Sequence, residues 1–297
     1  MDHKQIVAGL SKQERLNLTG LSDAPGLFKL AQHTLAMGSL GWFIAIGMPG
    51  WPVLMLVQGV LLVFLFTLMH EAAHRTPFRS AWINKAVSWV CGLVLCLPPE
   101  WFRYFHFAHH RFTQDTENDP ELASSKPETL GQYIWHVSGL PVWRGQIAAA
   151  IKNAMWANQD TFVPERGRHK VMREARIMLA VYSVLLAGSL MAGSTLLIWV
   201  WIVPMLLGQP FLRLYLLAEH GRCPLVANML ENSRTTFTNS MVRWLAWNMP
   251  YHAEHHAYPA VPYHKLPNFH AVTAQHLKMT QDGYANFSID YVKSLKS

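Results

Sequence analysis

Residues 30–70 read LAQHTLAMGSLGWFIAIGMPGWPVLMLVQGVLLVFLFTLMH, a run without one Asp, Glu, Lys or Arg. One helix needs about 20 apolar residues to cross the hydrocarbon of a bilayer. The run is therefore long enough for two crossings, with Met48-Pro49-Gly50-Trp51-Pro52 as the turn between them. A second uncharged run, residues 177–212, is also long enough for two, with Ala192-Gly193-Ser194 at its middle. The spacing predicts two helical hairpins, about 28–48 with 51–73 and 175–191 with 195–219.

The rest of the chain carries the charge. Only 14% of the 297 residues are charged and 51% are hydrophobic, whereas about a quarter of a soluble domain is charged. All 25 Lys and Arg lie outside the uncharged runs and their turns. Basic residues stay on the cytoplasmic side of a membrane, so both termini and the segments 74–174 and 220–297 are expected there. The basic run Arg166, Arg168, Lys170, Arg173, Arg176 stands just before the second hairpin. The net charge of +7 suits anionic headgroups, and the absence of a nucleic-acid-binding motif argues against a nucleic-acid partner. No cleavable signal peptide is expected, because residues 1–25 mix charges of both signs without an apolar run. Cys91, Cys96 and Cys223 have no metal-type spacing. Strand patterns are scarce, so the expected fold is all-α: four spans and a cytoplasmic helical cap, as one domain over residues 1–297.

Nine of the 16 histidines fall into four tight groups. His70 and His74 form H-E-A-A-H; His106, His109 and His110 form H-F-A-H-H; His252, His255 and His256 form H-A-E-H-H; His220 stands in Ala-Glu-His-Gly. Positions i, i+3 and i+4 share one helix face, so each box can aim its imidazoles at one place. At this histidine frequency H-x-x-H-H would occur roughly 0.05 times by chance. His70, His74 and His220 end predicted spans, and the other boxes lie in the cap, so all nine are expected at one membrane face. The remaining histidines, such as His33 and His270, read as surface or internally bonded groups. Imidazole suits Zn, Cu, Fe and Ni alike. Nine nitrogens exceed what one four-coordinate zinc takes, and two metals with four or five ligands each fit the count. Glu71, Glu219 and Glu254 adjoin these histidines and are candidates for carboxylates that bond the other ring nitrogen.

These boxes, in this order and separated by paired spans, resemble the membrane fatty acid desaturase family. The resemblance covers about residues 35–270 and extends to the acidic turn Asp119-Pro120-Glu121. It implies two non-haem iron ions, O2 chemistry on the cytoplasmic side and a fatty-acyl lipid substrate in a tunnel between helices. The three boxes would supply eight imidazoles and His220 a ninth, with no catalytic residue beyond the metal centre. Some members carry Asn four residues before that extra histidine, where this chain has Leu216. The stretch Glu219-His220-Gly221 is similar instead to a box of membrane alkane hydroxylases. A third box that begins with His252, rather than Gln, argues against the front-end subgroup. No fused electron carrier is expected, so electrons would come from a separate ferredoxin or cytochrome b5 type donor. A lipid or hydrocarbon hydroxylase or oxidative decarboxylase on the same scaffold is the nearest alternative. An intramembrane zinc protease using His70-Glu71-His74 leaves the other clustered histidines without a role. A non-catalytic metal carrier would be expected to place ionisable groups inside its spans.

Overall fold

A computed structural model describes residues 1–155 and 158–296. Two short helices, α1 (His3–Gly9) and α2 (Lys12–Thr19), open the chain. Each starts with a reciprocal cap, Asp2 with Gln5 and Ser11 with Glu14, which satisfies backbone donors at the helix start. Next come α3 (Ala24–Ala45) and α4 (Trp51–His74). Gly50, at φ +85°, supplies the left-handed residue that turns one into the other.

Three helices among the described residues are long and apolar enough to cross a membrane: Trp51–His74, Glu165–Met191 and Ile198–His220. A bent pair, α5 (Ala81–Leu95) and α6 (Pro99–Phe112), makes a fourth if counted as one broken span; its halves meet at 99°. The helix expected at 28–48 forms as α3, but by composition it is not in this group. Lys29, Gln32 and His33 lower the mean hydropathy of its first half. Lys29 and His33 are buried against the protein, while Phe28, Leu35 and Trp42 point outward. Counting charges between 30 and 70 therefore overstates how apolar this helix is.

After α6 the chain forms α7 (Leu130–Val137), α8 (Leu140–Met155) and α9 (Glu165–Met191), which begins ten residues before the predicted span. A π-helical turn at Ile198–Ile202 leads into α10 (Val203–His220). The C-terminal part holds α11 (Met229–Asn232), α12 (Ser240–Leu245), α13 (His252–Ala257), α14 (Leu266–Thr273) and α15 (Tyr284–Lys293).

The fold is not purely helical. Strands β1 (Thr235–Phe237) and β2 (Thr280–Asp282) pair in parallel, with Thr235 opposite Thr280. Each is only three residues long, too short for a period-two pattern to show in sequence.

The core runs along α4, whose residues from Leu61 to Ala73 are almost all buried. Its main partner is α10, and the two backbones touch at Gly59 and Gly208. A Cβ on Gly59 would lie 2.0 Å from the Pro204 carbonyl oxygen, and one on Gly208 would lie 2.2 Å from that of Gly59. Only glycine permits that approach, the usual device for close helix packing in membranes.

Candidate metal centre

Each histidine box sits where a helix can aim it. His70 and His74 are one turn apart on the last turn of α4, which ends at Arg75 with φ +62°. Helix α6 carries His106, His109 and His110, and α10 ends on His220. All six residues of α13 are buried, including His252, His255 and His256. The start of α6 is fixed by a residue from another span: the Glu174 carboxylate accepts from the backbone N–H of Glu100 at 2.9 Å and of Trp101 at 3.2 Å. A carboxylate at a helix N-terminus satisfies orphan donors and the helix dipole together.

The nine imidazoles converge in two groups. In the first, nitrogens of His70, His106, His110 and His255 all lie within 4.8 Å of one another, and His74 Nε2 is 2.7 Å from His106 Nε2. In the second, His109, His220 and His256 meet the same limit, and His252 Nε2 is 2.9 Å from His220 Nε2. The rings of His110 and His256 stack at 4.0 Å and join the two groups.

These donors fit metal ions. His70 Nδ1, His256 Nε2 and both ring nitrogens of His110 and His255 are buried without a hydrogen-bond partner. Such a group costs about 1–3 kcal/mol if nothing satisfies it, and a coordinated cation does so. Protonation is suppressed at two histidines of the second group. Burial, then the neighbouring imidazoles, hold His252 and His256 well below the usual histidine value of 6.5. Neutral imidazole is the form that binds a metal.

Behind the second group stands a set of oxygen partners. His109 Nδ1 lies 2.9 Å from Asp119 Oδ1, with the geometry of an N–H donating to the carboxylate. His220 Nδ1 donates to the Asn232 carbonyl at 3.1 Å, and His256 Nδ1 pairs with Thr113 Oγ1 at 3.2 Å. Glu219 Oε1 lies 3.3 Å from His252 Nδ1 but is not aligned as a hydrogen bond. A donor hydrogen bond from Nδ1 leaves Nε2 as the free lone pair. The first group has one such neighbour, Glu71, whose Oε1 is 3.3 Å from His255 Nδ1 but not aligned as a hydrogen bond. Its other oxygen accepts from Thr76 Oγ1 at 3.1 Å and the Tyr263 N–H at 3.0 Å.

Of the three carboxylates singled out in sequence, Glu71 and Glu219 thus stand behind a box histidine. Glu254 turns elsewhere: it accepts from Thr235 Oγ1 at 2.5 Å and pairs with His270. His270, expected to be an unremarkable histidine, therefore helps to fix α13 through β1 and α14. Asp119, Thr113 and Asn232 were not singled out as partners of the histidines. Asp119 alone left a trace, as part of the acidic turn.

Apolar spans that carry a buried, imidazole-lined site at one end define a class of membrane protein built to hold metal. Comparison with known proteins narrows the class. The sequence profile of the fatty acid desaturase family matches residues 47–287, and the chain belongs to that family of oxidoreductases. Dihydrorhizobitoxine desaturase from Bradyrhizobium elkanii is 26% identical over 283 residues, covering 88% of this chain and 75% of the relative. An sn-1 oleoyl-lipid 12-desaturase from Picosynechococcus is 26% identical over 115 residues, which is 39% of this chain and 29% of the relative. An sn-1 acyl-lipid omega-3 desaturase (ferredoxin) from Nostoc is 27% identical over 110 residues, or 36% and 30%. The match thus spans less than a third of the length of either of these last two.

Proposed function

We propose that this chain is an O2-dependent di-iron desaturase that introduces a double bond into the acyl chain of a membrane lipid. Electrons come from a separate donor of the ferredoxin or cytochrome b5 type. The observation that carries the reading is the division of nine imidazoles, seven of them buried, into groups of five and four, each with the donor set of one metal ion. Two iron ions, when bound, supply the reduction of O2 and the removal of hydrogen from an unactivated CH2. The nine histidines then act as ligands, with Glu71 and Glu219 orienting His255 and His252.

The protein's own contribution is positional. Asp119 fixes the His109 ring, and the Asn232 carbonyl fixes His220. Burial of both groups keeps bulk water from the reacting centre. We place both termini and the site on the cytoplasmic side, because the Lys and Arg residues flank the histidine-bearing ends of the spans. The whole of 1–297 is read as one membrane unit with four spans and a cap.

A hydroxylase or oxidative decarboxylase would use the same site and differ only in product. The similarity to a relative named for dihydrorhizobitoxine, across most of both chains, favours a second reading in which the substrate is a compound of that kind rather than an acyl lipid. A zinc protease is disfavoured because one four-coordinate zinc leaves most of the nine converging histidines without a role.

Metal content and spin state of the detergent-solubilised protein, grown with ample iron, test the site. Two irons per chain support the reading, and one zinc without iron overturns it. Lipid profiles of a host with and without the gene test the reaction. A new unsaturated acyl chain is expected; a new alcohol or a shortened hydrocarbon would reassign the chemistry.

A further inference from the structure

A cleft of about 640 Å³ lies beside the histidine site, between the end of α4, helices α5 and α6, and the first turns of α9. Five cationic side chains line it: Arg75, Lys85, Arg103, Lys170 and Arg173. Among the described residues, none of the five is paired with a carboxylate. Two carboxylates share the wall, Glu100 and Glu174. Glu174 is already committed to the backbone at the start of α6. The cleft therefore holds an excess of positive charge with free N–H donors. Arg103 is held in place, since its Nε donates to the Ala73 carbonyl at 3.1 Å and its guanidinium lies over the Phe107 ring.

Trp82, Trp89 and Ile177 add apolar surface to the lining, and Trp82 is 72% exposed. Tryptophan at the end of a span marks the headgroup level of a bilayer. Met69, Ala72 and Ala73 form the floor, and they alternate along α4 with His70 and His74. One helix wall is thus shared by the cleft and the metal site.

We propose that this cleft binds the phosphate of a glycerophospholipid from the adjoining leaflet. Arg and Lys supply the charge-assisted hydrogen bonds that phosphate takes, and the tryptophan side admits the glycerol and the acyl chains. The substrate of the reaction is accordingly an anionic phospholipid, a step that rests on the acyl-lipid reading above; headgroup binding stands without it.

The test uses the full-length protein in detergent and compares two double variants of equal charge. Lys85→Gln with Arg173→Gln removes two cations from the cleft, and Arg166→Gln with Arg168→Gln removes two from outside it. Binding of phosphatidylglycerol and of neutral diacylglycerol is read by native mass spectrometry. Loss of two charge-assisted donors should make the cleft variant bind phosphatidylglycerol about tenfold more weakly or worse, with diacylglycerol unchanged. The outer variant should behave like the parent protein. An equal loss in both variants means diffuse attraction and overturns the cleft. Displacement of the lipid by coenzyme A or inorganic phosphate at micromolar concentration means a soluble phosphate ligand and overturns the lipid. Selective lipid binding without any desaturated product would leave the headgroup site standing and remove the acyl-lipid reading instead.

Discussion

The two imidazole groups are built differently. The second group, His109, His220, His252 and His256, is braced from outside: three of its four Nδ1 atoms have an oxygen partner in hydrogen-bonding geometry, on Asp119, on the Asn232 backbone and on Thr113. The first group, His70, His74, His106, His110 and His255, has Glu71 alone, and Glu71 is misaligned. What holds the first group is helix geometry: α4 and α6 each present their rings one turn apart, and the rings crowd at 4.1–4.8 Å between centroids. One imidazole group is thus fixed by hydrogen bonds and the other by packing.

That contrast can be broken. The largest effect is expected for the ligands themselves. His255→Ala and His256→Ala should each abolish turnover, by about a thousandfold or more. Metal analysis should show one metal lost and one retained if the groups are independent; loss of both in either variant would make them a single unit joined through the stacked His110 and His256. Next comes the bracing. Loss of a partner behind a ligand costs about 10–100-fold in metal affinity. Asp119→Asn should show this by competition with a chelator, and only for the metal of the second group. Glu71→Gln should cost about threefold, because its contact to His255 is poorly aligned. A larger loss for Glu71→Gln than for Asp119→Asn would erase the difference between the groups.

Two smaller effects sharpen it. His252 and His256 have values depressed by burial and by their neighbours. Above pH 6.5 they are neutral in both folded and unfolded chains. As pH falls through 6.5 the unfolded chain takes up protons that the folded one refuses, so metal-free protein should lose stability steadily below that point. Chemical denaturation in detergent at pH 7.5 and 5.5 reads the change, and equal stability at both would count against the buried neutral histidines. Thr113→Val should matter least, about 1 kcal/mol, seen as a small rise in metal dissociation from the second group.

Much of this was legible in the chain itself. The boxes could be read because helical spacing turns sequence distance into a shared face, and His70 with His74 needed nothing else. The apolar runs located α4, α9 and α10, since a bilayer demands length and composition together. The orienting groups were harder. Adjacency suggested Glu254, yet a residue next to a ligand on a helix points about 100° away from it, and Glu254 reaches Thr235 and His270. Asp119 does touch a ligand, ten residues on, because the chain reverses after α6 through Gln114 at φ +64°. The acidic turn marks a change of direction but not which histidine the returning carboxylate meets. The polar residues of α3 were hidden for another cause: Lys29 stands just before the uncharged run, and a count of charges passes over Gln32 and His33.

The contact between Gly59 and Gly208 acts as a fulcrum. From Gly59 to His70, α4 runs about 16 Å, at 1.5 Å per residue, and from Gly208 to His220, α10 runs about 18 Å. Each helix is a lever whose far end carries ligands, and the two ends approach only because the axes almost touch at the pivot. A methyl group there would spread the levers, and the displacement would be felt at the histidines rather than at the glycines. Two residues without side chains, well over ten ångströms from the histidines along their helices, thereby set how far apart the histidine-bearing ends stand.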